Sequence, residues 1–151
     1  MADLPRNEAE VLIGLHKFVR GDFILQPRKN HAGYLAAAIR PEDEFDATIP
    51  GVTIEIEVKA PTLIATCLNM VSVYQLRNGV KYRAHQIEVQ PMTKRSHNGP
   101  TGPIYGAHEH RGDSVEAFRD VPLSCETSLD EFFAVFCSRS NISFSGKIVL
   151  P

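Results

Sequence analysis

Val71-Ser72-Val73-Tyr74-Gln75-Leu76-Arg77-Asn78-Gly79-Val80-Lys81-Tyr82-Arg83-Ala84-His85-Gln86-Ile87-Glu88-Val89-Gln90 holds two runs rich in β-branched and aromatic residues on either side of Asn78-Gly79. Asn-Gly supplies the two positive φ angles that a tight hairpin turn needs, so Leu63 to Leu76 and Lys81 to Gln90 are expected to pair antiparallel. In the second arm Lys81, Arg83 and His85 share one parity, and apolar Ile87 and Val89 continue it. One strand face cannot be both a charged groove and a core, so a bulge or a change from groove to core is expected near Gln86.

Outward from the hairpin the extended pattern continues. Val52, Ile54, Ile56 and Val58 alternate with Thr53, Glu55 and Glu57, as in a strand with one wet face. Asp22 to Gln26 and Tyr34 to Ile39 are short apolar runs closed by Pro27 and Pro41. An opening helix is read from Asn7 as cap with Glu10, through Val11, Leu12, Leu15, Phe18 and Val19, to a stop at Gly21. A second helix starts at Ser128, boxed by Glu131, with Leu129, Phe132, Phe133 and Phe136 as its apolar stripe. Ile142 to Leu150 reads as a terminal strand. The order lacks regular β-α alternation, so the expected fold is α+β: an antiparallel sheet of about five to seven strands packed by an N-terminal and a C-terminal helix.

The chain has 151 residues, 43% of them hydrophobic, which suffices for one core and one domain over residues 1–151. Sixteen basic and 18 acidic residues give a net charge of -2, which excludes a globally basic nucleic-acid coat and leaves room for a local basic patch. Every charged residue from Pro41 to Glu57 is acidic, whereas Arg77 to Arg95 is basic apart from Glu88. A basic patch separate from the acidic side is therefore expected. Cys67, Cys125 and Cys137 are too far apart for a zinc knuckle or redox pair and are read as buried thiols. With no basic and apolar leader pattern and no run of about 20 apolar residues, the expectation is a cytoplasmic protein without membrane association.

Chemistry concentrates in His97-Asn98-Gly99-Pro100-Thr101-Gly102-Pro103-Ile104-Tyr105-Gly106-Ala107-His108-Glu109-His110-Arg111-Gly112-Asp113, which holds three of the six histidines. It reads as a Gly/Pro loop followed by a return to the sheet over His108 to Phe118. In an extended His108-Glu109-His110 both imidazoles fall on one face. Arg111-Gly112-Asp113 spells an integrin tripeptide and is read here as coincidence, with Asp113 a carboxylate able to orient His108 or His110.

Three readings of this constellation stay open. In the first, His97, His108 and His110, oriented by Asp113, cleave RNA without a metal or other cofactor: imidazoles titrating near neutrality move the protons. Arg77, Lys81, Arg83, Lys94 and Arg95 then hold phosphates, and Tyr105 stacks a base. In the second, His108 and His110 are metal ligands, with His97 or Asp113 completing the set. In the third, the loop is a protein-recognition surface of an antitoxin, an immunity factor or an inhibitor of a bacterial defence system. Structural histidines that hydrogen-bond loop carbonyls are the plain alternative to all three.

Tyr82 to Phe136, with Asn98-Gly99-Pro100 and His108-Glu109-His110 as its signatures, resembles an uncharacterised group of small bacterial and phage-borne proteins. That group combines a hairpin rich in Arg, Lys and Tyr, a Gly/Pro loop, a His-x-His pair and a C-terminal helix with several aromatics. The resemblance implies a mobile-element or host-conflict context; the readings above, of the toxin-antitoxin kind, have RNA, a cognate inhibitor or a defence component as the expected partner. It supplies no activity to carry over, and the sequence leaves the oligomeric state open.

Overall fold

A computed structural model describes residues 2–59, 67–93 and 95–151, the Ser96 side chain excepted. In chain order the elements are β1 (Ala2–Asp3), α1 (Arg6–Gly14), β2 (Lys17–Val19), β3 (Phe23–Ile24), β4 (Gln26–Pro27) and β5 (Tyr34–Ile39). Then come β6 (Val52–Lys59), β7 (Leu68–Arg77), β8 (Val80–Val89), β9 (Arg95–Gly99), β10 (Gly102–Tyr105), β11 (His108–Arg111) and β12 (Ser114–Ala117). The chain closes with α2 (Leu129–Arg139), β13 (Ile142–Phe144) and β14 (Ile148–Val149).

The main sheet is eight-stranded among the described residues, one more than the upper expectation, in the order β12-β11-β8-β7-β6-β5-β4 with β1 added beside β8. Its path is antiparallel, and the class is α+β with a helix near each end of the chain. Parallel pairing enters only through short strands: β1 on β8, β13 on β2 and β14 on β3.

The Asn78-Gly79 turn forms, with φ of 50° and 77°. Leu63 to Thr66, the start of the expected first arm, lie outside the described residues. The bulge is at Ala84: Val73 pairs with His85 and Tyr74 with Arg83, so Ala84 is the extra residue. Its carbonyl accepts from Gly112 N at 2.8 Å. Ala84 is where the strand reverses its faces. Arg83 stays on the polar side, while His85, Ile87 and Val89 join Val52, Ile54, Ile56, Val58, Val71 and Val73 on the side packed by α2, where His85 stacks on Phe136 at 4.7 Å.

α2 begins as expected, with Ser128 Oγ accepting from Glu131 N at 3.2 Å, and buries Phe132, Phe133 and Phe136. The first helix departs from its sequence reading. It runs Arg6–Gly14 with Pro5 rather than Asn7 at its N-cap, and Val11 on it is 77% exposed. Leu15 turns extended, and Phe18 and Val19 belong to β2, where β-favouring side chains find partners on β13. Lys17 fixes this junction: its buried Nζ donates to Ile13 O, Leu15 O and Ser140 O, so one ammonium serves carbonyls at the C-terminal ends of both helices.

Two further expectations are corrected. Cys67 and Cys125 form a disulfide, with Cα atoms 5.9 Å apart, and only Cys137 is a buried thiol. Distant in sequence, they meet because β7 starts beside the segment that leads into α2. The Gly/Pro segment is not a loop but a hairpin of its own, β9 and β10 turning through Pro100-Thr101. His108 to Phe118 returns to the main sheet as expected, as two strands folded at Gly112 with φ of 58°.

Candidate histidine site

β11 positions the pair that the alternation predicts. His108 pairs with Glu88 and His110 with Gln86 on β8, so both imidazoles share the polar face, while Glu109 between them goes through to the α2 side. The β9 and β10 hairpin folds over that face and adds His97, which pairs with Ile104 within the hairpin. The three rings converge: centroids are 5.0 Å apart for His97 and His110, 5.1 Å for His108 and His110, and 5.8 Å for His97 and His108. His97 is exposed, whereas His108 and His110 are 1% and 3% exposed. The cluster is thus a buried pair under an open third ring.

Burial sets its electrostatics. Desolvation, with the charges of His97 and Arg83 added, lowers His108 to about 4 despite the nearby Gly106 backbone, which favours the charged ring. Desolvation, then Arg83 and the neighbouring histidines, lowers His110 to about 3. Both rings are neutral at physiological pH. Glu88 Oε2 lies 3.6 Å from His108 Nε2, and His108 Nδ1 is buried without a hydrogen-bond partner.

The other proposed site residues divide. Arg83 reaches the cluster electrostatically, but its guanidinium is held by Asp3 at 2.8 and 3.3 Å and by Gln86 at 2.9 Å. Lys81 pairs with Glu55 at 3.0 Å and lies 4.5 Å from the Tyr74 ring, and Arg77 pairs with Glu8 at 3.0 Å. The expected separate basic patch is therefore corrected: each of these hairpin cations is paired with a carboxylate, Lys81 with Glu55 on β6, Arg77 with Glu8 on α1 and Arg83 with Asp3 on β1. Lys94 lies outside the described residues. Arg95 and Tyr105 pair on the exposed hairpin, and Tyr105 lines a cleft of about 900 Å³ that also holds Met92, Phe118, Asp120, Val121 and Arg139.

Asp113 does not serve the histidines. Its Oδ1 accepts from Arg6 N at 3.1 Å, at the start of α1, while Arg111 pairs with Glu10 at 2.5 Å. The Arg-Gly-Asp tripeptide is thereby a structural turn docked on the first helix. Sequence reasoning missed the network on the other face of β11, where Glu109 joins His85 and Arg139. The strand alternation that pairs His108 with His110 also sends Glu109 to the opposite side, and that was its signal.

Neutral imidazoles are the ligating form for a transition metal. Among the described residues no group of three or more His, Cys, Asp or Glu side chains is placed so that it could hold a metal ion as it stands. The centroids of the three imidazoles are 5.0 to 5.8 Å apart. With metal-to-nitrogen bonds of 2.0–2.1 Å, ring centres lie about 3.2 Å from the metal and, at tetrahedral angles, about 5 Å from each other.

Compared with known proteins, the chain matches no protein-family model, no curated protein and no solved structure, so its residues alone carry the functional reading.

Proposed function

We propose that this protein binds one transition-metal ion of zinc type through His97, His108 and His110, and that this centre is its working site. The observation that carries the reading is the mutual spacing of 5.0 to 5.8 Å among three imidazole centroids, two of them buried. A wide range of side chains could fill the space beneath a hairpin, and three imidazoles are a costly choice unless something uses their lone pairs. His108 fits the part: its Nε2 has Glu88 near, and its buried Nδ1 has no partner. A carboxylate or carbonyl behind one ring nitrogen is the usual support for a ligating imidazole. Donors not yet gathered on one point require side-chain rotation, and the exposed His97 makes it by giving up the 3.0 Å contact of its Nδ1 with Asn98 O.

Metal-free RNA cleavage draws less support. It needs one imidazolium to protonate the leaving oxygen near neutral pH, whereas His108 and His110 sit at about 4 and 3. It also needs free cations, and Arg77, Lys81 and Arg83 are each paired with a carboxylate.

The test is titration of EDTA-stripped protein with Co²⁺, whose visible bands report imidazole coordination. One equivalent is expected to bind, with affinity reduced about a hundredfold or more in His108→Ala and in His110→Ala. Absence of cobalt bands and of Zn²⁺ binding in the wild type overturns the metal reading. Cleavage of single-stranded RNA in excess EDTA, lost in the same two variants, replaces it with the metal-free ribonuclease.

A further inference from the structure

The β9 and β10 hairpin is joined to the rest of the molecule differently from every strand of the main sheet. It forms a two-stranded sheet of its own, and among the described residues no backbone ladder links it to β11 or β12. Side chains contribute to its attachment. His97 lies against His108 and His110, and Ile104, which pairs with His97 across the hairpin, is 7% exposed. A segment held this way sits at the low end of local stability, because it opens without breaking a ladder.

The same hairpin makes one wall of the cleft of about 900 Å³. Gly99 to Tyr105 line it on one side, and Glu116 to Leu123 with Arg139 line it on the other. Met92, Tyr105 and Val121, three large apolar side chains exposed to solvent, all border this space. Whatever fixes the hairpin therefore fixes the cleft.

Resting on the metal reading above, we infer that the ion is a lock: by joining His97 on the hairpin to His108 and His110 on the sheet, it holds the hairpin closed and forms the cleft wall. Two of its three ligands belong to β11, which is embedded between β8 and β12, and one belongs to the side-chain-tethered hairpin. An ion that needs all three binds only the closed arrangement, so it stabilises that arrangement by the factor 1 + [metal]/Kd. Glycine makes the hinge possible. Gly106, between the hairpin and β11, has φ of 73°, and a Cβ there would run into Met92 Sδ.

The experiment is hydrogen exchange of the full chain, with and without Zn²⁺, read over the amides of residues 95–105 and, as an internal reference, over β6 and β7. With Zn²⁺ at a hundred times its Kd, exchange in the hairpin is expected to slow about a hundredfold while the reference strands change little. His97→Ala, a change at an exposed position, is expected to keep the fold and lose the hairpin protection. Cobalt absorption on the same samples separates the two levels. If metal binds through the three histidines and the hairpin amides exchange at an unchanged rate, the lock is overturned and the metal centre stands. If the hairpin slows equally in His97→Ala, the lock does not run through His97 and is likewise overturned. If no metal binds, both fall.

Discussion

His85 Nε2 donates a 2.7 Å hydrogen bond to Glu109 Oε2 beneath the Phe136 ring, on the side of β11 opposite His108 and His110. Burial would raise the Glu109 carboxyl, yet the bonds from His85 and Arg139 outweigh it and hold the group ionised. Arg139 gives two of those bonds, at 2.6 and 3.2 Å, and itself reaches Asp120. Removing the acid strands a buried imidazole and sets Arg139 against Arg111, whose Nη1 lies 3.5 Å from Glu109 Oε2. Glu109→Leu is expected to cost about 3 to 5 kcal/mol. Urea unfolding checks it, and a loss under 1 kcal/mol would show that the network contributes little.

Acid should unfold the metal-free protein early. His108 and His110 titrate at about 4 and 3 when folded, against an ordinary 6.5. Between those values the unfolded chain binds more protons than the folded one, so stability falls as pH drops below about 6.5. Each imidazole contributes about 1.4 kcal/mol per pH unit in that window, giving a slope near 3 kcal/mol per unit for the pair. The groups facing His108 are His97 and Arg83, which deepen its shift, and the Gly106 backbone, which opposes it, with Glu88 Oε2 3.6 Å from its Nε2. Urea midpoints measured from pH 6 to 5 should show the slope, and a variant with both histidines replaced by Gln should reduce it, leaving the share of buried His85, which burial also lowers.

Reduction should also weaken the fold. The Cys67 and Cys125 disulfide spans 58 residues of sequence, and a loop of that length is stabilised by about 4 kcal/mol through restriction of the unfolded chain. Dithiothreitol should lower Tm by several degrees, and Cys125→Ser should reproduce the shift and lose its sensitivity to reductant. Under denaturation without reductant, one thiol should react with maleimide, that of Cys137. Three reactive thiols in protein isolated under oxidising conditions would refute the pairing. Stable disulfides belong to oxidising compartments, which sets this bond against the cytoplasmic expectation.

What was legible in the sequence was legible as local periodicity. Val52 to Val58 gave its buried face, Asn78-Gly79 its turn, Ser128 and Glu131 their cap, and the broken parity of Lys81 to Val89 its bulge, two residues from where it lies. His108 and His110 fell on one face because strand alternation requires it. The failures were tertiary. Phe18 and Val19 kept helical spacing but were claimed by β13, 125 residues along the chain from Phe18 in the Ser143 pairing. Arg77, Lys81 and Arg83 looked like a basic groove because Glu8, Glu55 and Asp3 are remote in sequence. The titration of His108 and His110 was misjudged for the same reason: their burial comes from a hairpin whose packing no short-range pattern encodes.

The Arg111-Gly112-Asp113 turn offers a way to perturb the fold beside the cluster without touching it. Gly112 has φ of 58°, and a Cβ there would stand 2.6 Å from Leu4 O and 2.9 Å from Arg6 Cα, both backbone atoms. Gly112→Ala must therefore push the turn away from the first helix as well as strain its own backbone, and a cost of about 2 to 4 kcal/mol is expected. Asp113→Ala removes only the acceptor for Arg6 N and should cost about 1 kcal/mol, the usual loss of a helix cap. Neither side chain bonds to an imidazole, so both variants should keep the cobalt affinity of the wild type wherever they are folded. A loss of metal binding in folded Asp113→Ala would return Asp113 to the role of histidine orienter and overturn its assignment as the partner of α1.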